Sequence, residues 1–410
     1  VPASAPKDRV RARVSQKRSH YLEAEIEEIL SFSPERVSPF CRHVPSCGGC
    51  QWQHLSLPAQ RQWKERILRE LLSPLAGREE AAIGEILPVS PPQGYRTRAQ
   101  IKVEVQGNRS RWGFYRPRSR ALEEIERCPL LHPDLQKIYR SLRDLKHPTL
   151  SQLYPSLREI WMQRGSPGGE ILLTLITPPS SRVALRWLYH RLKEAFSHLA
   201  GIALAWGRDG KVYDQAGDGH VEMGLRGLKL RVGPTCFYQV GEAGAETIFQ
   251  VMESWMGPAQ MDRVLDLYCG VGTFCLPLAK GGKEVVGVEA QEEATCWAQE
   301  NARRNGLSRV HLIHGTAEQF LSGPLAEGTY DLVILDPPRS GLSRRAMEGL
   351  LGLSPPRIVY ISCDPSTFTR DLARLMAKGY ACPRIQPLDL FPHTYHLETM
   401  AWLERGGGRP

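Results

Sequence analysis

Apolar stretches of strand length recur through the last third of the chain, at 264–267, 284–288, 310–314, 332–335 and 358–362, and the segments between them carry helical spacing. Short buried strands alternating with helices predict an α/β unit built on a parallel, doubly wound sheet. Upstream, β-like runs at 100–105, 170–176 and 227–232 are broken by Gly, Pro and Ser and accompanied by one amphipathic helix at 183–196, which predicts a mixed α+β region. Near the start, partial alternation over 21–30 follows six basic residues between Lys7 and Arg18, as in a small basic β module. A Pro- and Ser-rich joint at 31–39 comes next. Trp63, Ile67, Leu68, Leu71, Leu72 and Leu75 then share one face of a helix at 56–75 that needs a neighbour to cover it. These shifts divide the chain into 1–33, 34–236 and 237–410, with 406–410 as a frayed tail.

Composition narrows the picture. At 410 residues with 41% hydrophobic positions the chain can bury large cores, and no run approaches the length of a membrane span. The first twenty residues lack the apolar heart of a secretory signal, so a cytoplasmic protein without a membrane partner is expected. Lysine and arginine (53) exceed aspartate and glutamate (44) by 9, which suits a phosphate-bearing partner. In this setting ten cysteines point to metal or catalysis before disulfides. Cys41, Cys47 and Cys50 are spaced C-x5-C-x2-C, and Cys128 lies in a Cys-Pro dipeptide. Four thiolates suit zinc or an iron–sulfur cluster, and a local triad with one distant ligand before a proline favours a [4Fe–4S] site over paired zinc knuckles.

The segment DLYCGVGTF at 266–274 joins a strand to a helix, so Gly270 and Gly272 let the backbone pass close to a ligand at the strand's carboxyl end. The third glycine of a dinucleotide fingerprint would fall at Cys275, which makes NAD the lesser candidate. Glu289, closing the next strand, can accept from both hydroxyls of a ribose, and the combination suits S-adenosylmethionine; the bland alternative is a tight turn beside a solvated carboxylate. DPPRSG at 336–341 sets Asp336 at the same crevice, unless the two prolines only build a turn, and Arg339 stands where enzymes that methylate exocyclic amines carry a stacking aromatic. Cys363 emerges at the end of the fifth strand, as a nucleophile or as a small buried group. FPHTYHLE at 391–398 offers a metal site, a hydrogen-bonded corner or a general base, with base ranked above metal. The chemistry that joins these parts is methylation of a pyrimidine at carbon-5: a thiolate adds to carbon-6, the activated carbon-5 takes the methyl group, and a base removes its proton. The residues do not reveal what favours the thiolate.

Phe237-x-Gln239, the 266–270 loop, DPPR at 336–339, SCDP at 362–365 and FPHTxHxE at 391–398 together resemble the RNA 5-methyluridine methyltransferase family over nearly the whole chain. The resemblance implies a Rossmann-like methyltransferase domain, Cys363 as nucleophile and Glu398 as base. It also implies that Gln239, Tyr268, Thr273, Glu289, Thr316 and Asp336 contact S-adenosylmethionine. One departure is Gly241, where the family has an asparagine able to cap the next helix. The cysteine pattern is similar to that of the large-subunit rRNA branch, which pairs a [4Fe–4S] central domain with a leading TRAM β-barrel, and this implies a 23S rRNA substrate; tRNA is the alternative within the family. About 33 residues are short for a complete TRAM barrel. Residues 94–120 hold Arg96, Arg98, Lys102, Arg109, Arg111, Arg116, Arg118 and Arg120 against Glu104, with Trp112, Phe114 and Tyr115 interleaved, and read as an RNA-facing strip. A noncatalytic RNA-binding relative and a cytosine carbon-5 enzyme are the rivals, and no obligate protein partner is inferred.

Overall fold

A computed structural model of the chain describes residues 1–19, 21–75, 82–106, 109–144, 155–179, 184–207, 210–239, 242–257, 260–324 and 328–406. Gly241 and the tail at 407–410 lie outside the described residues, as does the side chain of Arg109. Among the described residues no helix is long and apolar enough to cross a membrane.

The chain opens with an antiparallel hairpin, β1 (Arg9–Lys17) and β2 (Leu22–Ser31), whose register slips at three places. The two strands form a ribbon of their own, with Val14, Tyr21, Leu22 and Leu30 exposed. Helix α1 (Leu57–Leu72) starts at Ser56, whose side chain accepts from the Ala59 N–H, and has a proline in its first turn. Its buried stripe is Gln60, Lys64, Leu68 and Leu72, at i, i+4 spacing, and Ile67 from the expected face is exposed. Leu68 and Leu72 enter the core that holds Phe368 and Leu372. Two short strands, β3 (Ala82–Ile83) and β4 (Leu87–Pro88), follow.

The middle of the chain forms a seven-stranded mixed sheet. Its strands are β5 (Arg98–Gln106), β6 (Arg109–Tyr115), β7 (Leu122–Glu124), β8 (Glu159–Arg164), β9 (Ile171–Ile176), β10 (Leu199–Trp206) and β11 (Lys211–Gly217), in the order β11-β10-β9-β8-β5-β6-β7. Helices α2 (Pro133–Asp144) and α3 (Leu185–Ala195) share its core. Trp112 is buried in that core and Phe114 packs against it, so neither is free to stack on a base as the strip reading expected. The alternation of β6 turns them inward. Among the described residues four of the strip's eight cations are met by acids, all but Glu104 from outside the strip: Lys102 by Glu159, Arg111 by Glu104 and Glu124, Arg116 by Glu123, and Arg118 by Glu23.

A hairpin of β12 (Val221–Leu225) and β13 (Leu228–Val232) precedes α4 (Glu242–Met256) and places its apolar face in the core beneath the last sheet. That sheet begins with β14 (Arg263–Leu267), α5 (Cys275–Lys280), β15 (Glu284–Glu289), α6 (Glu292–Arg304), β16 (Val310–His314) and α7 (Ala317–Leu321). It continues with β17 (Leu332–Leu335), α8 (Arg344–Leu353), β18 (Arg357–Ser362), α9 (Pro365–Met376), β19 (Tyr380–Asp389) and β20 (Glu398–Arg405). The order is β16-β15-β14-β17-β18-β20-β19-β3, with β4 also on β19. The first five of these neighbours run parallel, whereas β20 is antiparallel to both β18 and β19. Alternation sorts the side chains: Val264, Ile334, Val359, Ile361 and Met400 fill one face, and Leu265, Leu335, Ile358, Tyr360 and Ala401 the other. The carboxyl ends of the parallel strands therefore share one edge, and β20 begins there, with Ser362 opposite Thr399.

Candidate active site

The β14–α5 turn is shaped by three left-handed residues, Tyr268 (φ 70°), Gly270 (φ 56°) and Gly272 (φ 97°). Among the described residues nothing lies within 4 Å of where a Cβ on Gly270 would stand, so the loop borders open space, while a Cβ on Gly272 would strike Leu276. Asp266 anchors the turn by accepting the Cys275 N–H at 3.0 Å, and burial, then the nearby Asp336 charge, push its carboxyl well up. Glu289 accepts the N–H of Gly270 at 2.9 Å and of Gln291 at 2.7 Å. Each oxygen keeps lone-pair capacity toward the open side, which fits the hydroxyls of a ribose. Thr273 is buried beside this turn. Thr316 caps α7 in a reciprocal box with Gln319, so its hydroxyl is engaged in holding the rim beyond β16.

Gln239 is buried and donates to Asp336 at 2.9 Å, tying the Phe-x-Gln segment to the end of β17. Burial lifts the Asp336 carboxyl to about 7, with the Gln239 bond opposing. Cys363 lies between β18 and the cap of α9. Burial, followed by the Glu398 charge, pushes its thiol up to about 11, while the Arg339 guanidinium pulls the other way. Glu398, 2% exposed, is raised well above the carboxylate range by burial and then by Asp336, again opposed by Arg339. The structure thus gathers Asp336, Arg339, Cys363 and Glu398 at one sheet edge beside the glycine turn. In the sequence Arg339 stands out only for not being aromatic; in the structure it is the cation that favours a thiolate. Its position follows from local bracing: Thr367 Oγ1 donates to the Arg339 carbonyl at 3.0 Å, and the Leu342 N–H donates to Asp371 at 2.8 Å.

The two histidines of 391–398 have separate roles. His393 is a buried corner, bonded to Gln60 and to the Pro92 carbonyl, and burial lowers its pKa. His396 lies 3.4 Å from Arg339, and burial followed by the Arg339 charge lowers it to about 4. Neither sequence spacing nor periodicity points to Gln60 or Lys64.

Cys41, Cys47, Cys50 and Cys128 line one cavity of about 40 Å³, walled by Val44, Phe114, Ile125 and Leu130. Burial raises the thiols of Cys47 to about 11 and Cys50 to about 12. Among the described residues no group of three or more His, Cys, Asp or Glu is arranged to hold a metal ion. Arg96 also lines the cavity, and its buried Nε has no hydrogen-bond partner among the described residues.

A doubly wound sheet with an open glycine turn, a ribose-ready carboxylate and a thiol–carboxyl pair at the same edge has the construction of a methyltransferase. A family model described as tRNA (uracil-5-)-methyltransferase matches residues 220–406. An uncharacterized RNA methyltransferase of Thermosynechococcus vestitus is 32% identical over 415 residues, spanning 98% of this chain and 92% of that protein. The 23S rRNA (uracil(1939)-C(5))-methyltransferase RlmD of Salmonella typhimurium is 32% identical over 407 residues, spanning 99% and 90%. In fold the chain is similar to the tRNA (uracil-54, C5)-methyltransferase of Pyrococcus abyssi, solved with S-adenosyl-L-homocysteine, with TM-score 0.76, 24% identity and coverage of 98% and 94%. The chain belongs to the RNA uracil-5-methyltransferase family and is an S-adenosylmethionine-dependent enzyme.

Proposed function

We propose that the enzyme methylates carbon-5 of a uridine in large-subunit rRNA. S-adenosylmethionine, when bound over the glycine turn by Gln239, Tyr268, Gly270, Gly272, Thr273, Glu289, Thr316 and Asp336, supplies an electrophilic methyl group. Cys363, half-buried, gives its proton to solvent and attacks as the thiolate beside Arg339; the new S–C6 bond pushes the C5–C6 electron pair into an enolate whose carbon-5 is nucleophilic. Once carbon-5 carries the methyl group, Glu398 takes its proton. The C5–C6 double bond re-forms, and the electron pair of the C6–S bond returns to Cys363. The observation that carries this reading is the convergence of Cys363, Arg339 and buried Glu398 at one edge. Similarity to RlmD supports rRNA over the tRNA named by the family model.

The residue set around the cysteine cavity fits a [4Fe–4S] cluster held by Cys41, Cys47, Cys50 and Cys128, with the orphaned Arg96 donor facing the negative charge that four thiolates bring. Such a cluster needs its sulfurs farther apart than one tetrahedral ion does. It would join the segment before α1 to the strands of the middle sheet and takes no part in methyl transfer. The β1–β2 hairpin is read as part of a TRAM-like RNA-binding module, in a division at 1–33, 34–236 and 237–410.

Incubation with cofactor and rRNA carrying 5-fluorouridine tests the reaction, because fluorine cannot leave as a proton: a covalent adduct on Cys363 is expected, and none with Cys363→Ala. Adduct with tRNA alone would move the substrate to the other branch. No adduct with any RNA would overturn the mechanism.

A further inference from the structure

The loop 390–397 that leads into Glu398 contains a left-handed turn at His393 (φ 68°), a conformation that costs a non-glycine residue free energy unless its surroundings enforce it. The enforcing groups come from the far end of the sequence. Gln60, fully buried on α1, accepts the His393 N–H through Oε1 at 2.7 Å and donates through Nε2 to His393 Nδ1 at 3.2 Å. The carbonyls of Leu55 at 2.8 Å and Trp52 at 3.0 Å share the two hydrogens of the same Nε2 with that ring nitrogen. The Trp52 N–H donates to the His393 carbonyl at 2.9 Å, and His393 Nε2 donates to the Pro92 carbonyl at 2.8 Å. Both backbone groups and both ring nitrogens of His393 are thereby taken. One turn along α1, Lys64 donates to Asp389 at 2.7 Å and to the Phe391 carbonyl at 3.0 Å, holding the loop where it leaves β19.

We propose that Gln60 is a positioning residue for the elimination step, fixing the backbone at His393 and thereby the stand of the Glu398 carboxyl, while touching neither RNA nor cofactor. The inference rests on the reading of Glu398 as the base. Thiol addition and methyl transfer do not use Glu398. Proton removal from carbon-5 does, with the C5–C6 double bond re-forming as the C6–S bond returns its electrons to Cys363. A displaced loop therefore stalls turnover as a methylated covalent adduct.

The test uses the full chain, methyl-labelled S-adenosylmethionine and substrate RNA, with adduct read as a labelled, RNA-shifted band on a denaturing gel. Gln60→Leu keeps the volume and removes both bonds; kcat should fall by about a hundredfold, the effect of misplacing a reacting group by about 1 Å. Cofactor affinity should stay near wild type, adduct should accumulate, and the RNA KM should fall with kcat, because the slowed step follows covalent addition. Wild-type kcat, or a lower kcat without adduct, overturns the proposal. His393→Asn tolerates the left-handed turn, keeps the N–H on Gln60 and loses the ring bonds. It should show a smaller build-up of adduct, and it decides by the same criterion if Gln60→Leu does not fold. Glu398→Gln separates the two claims. If it traps no adduct, the assignment of the base fails; if it does while Gln60→Leu and His393→Asn do not, only the positioning role fails.

Discussion

The two walls of the reaction cleft are braced in different ways. On the thiol side the bonds are local: Asp364 caps α9 through the N–H groups of Ser366 at 3.0 Å and Thr367 at 3.1 Å, and Thr367, Arg370 and Asp371 hold the 336–342 loop that carries Arg339. On the base side, the loop before Glu398 is held by Trp52, Gln60, Lys64 and Pro92, some 300 positions away in the chain. One wall is assembled by neighbours in sequence, the other only after distant parts have met. The setting of Cys363 therefore tolerates change outside its own sheet edge, and that of Glu398 does not.

The largest effect that sharpens this contrast is expected at Lys64. Lys64→Met leaves Asp389, 2% exposed, with only Arg61 at 3.5 Å, and stripping one partner from a buried pair costs about 3–5 kcal/mol, measurable by urea denaturation. Replacing both partners, Lys64→Met with Asp389→Leu, should recover much of the loss; an undiminished deficit would mean that the helix is not held by this pair. Next comes Arg339→Met on the thiol wall. The cation lowers the Cys363 thiol from where burial would put it, so its loss raises a pKa already near 11 and shrinks the thiolate fraction at neutral pH. Adduct formation should slow in proportion to the thiolate lost, about tenfold for every 1.4 kcal/mol of stabilisation that the cation gave the anion, and should recover as pH rises. A deficit that does not change with pH would break the assignment. The smallest is Thr367→Val, which removes one bond to the Arg339 carbonyl. A cost of about 1 kcal/mol by thermal unfolding is expected, with the RNA KM unchanged.

The same contrast explains what can be read in the chain without its structure. The strands of the last sheet are legible because β14, β17 and β18 are apolar on both faces, and Gly270, Asp336, Cys363 and Glu398 each fall at a strand end inside a short motif. The antiparallel insertion of β20 is not legible, since its eight residues look like any buried strand and pairing direction is set by partners. On α1 an apolar pattern points to Trp63 and Ile67, yet the buried stripe runs through Gln60 and Lys64 because their polar ends find fixed partners from another part of the chain. In the basic strip, composition suggests open charge, and the acids that answer it, Glu123, Glu124 and Glu159, lie outside the window.

Strand β20 follows every other strand of its sheet in the chain and yet lies between β18 and β19, bringing Glu398 to the ladder rung next to the end of β18. A polypeptide emerging from its amino end therefore presents the glycine turn and the Cys363 sulfur before Glu398 exists. By the proposed reaction, turnover begins only when this closing segment slots home, so the sheet's own topology makes completion of folding the licence for activity.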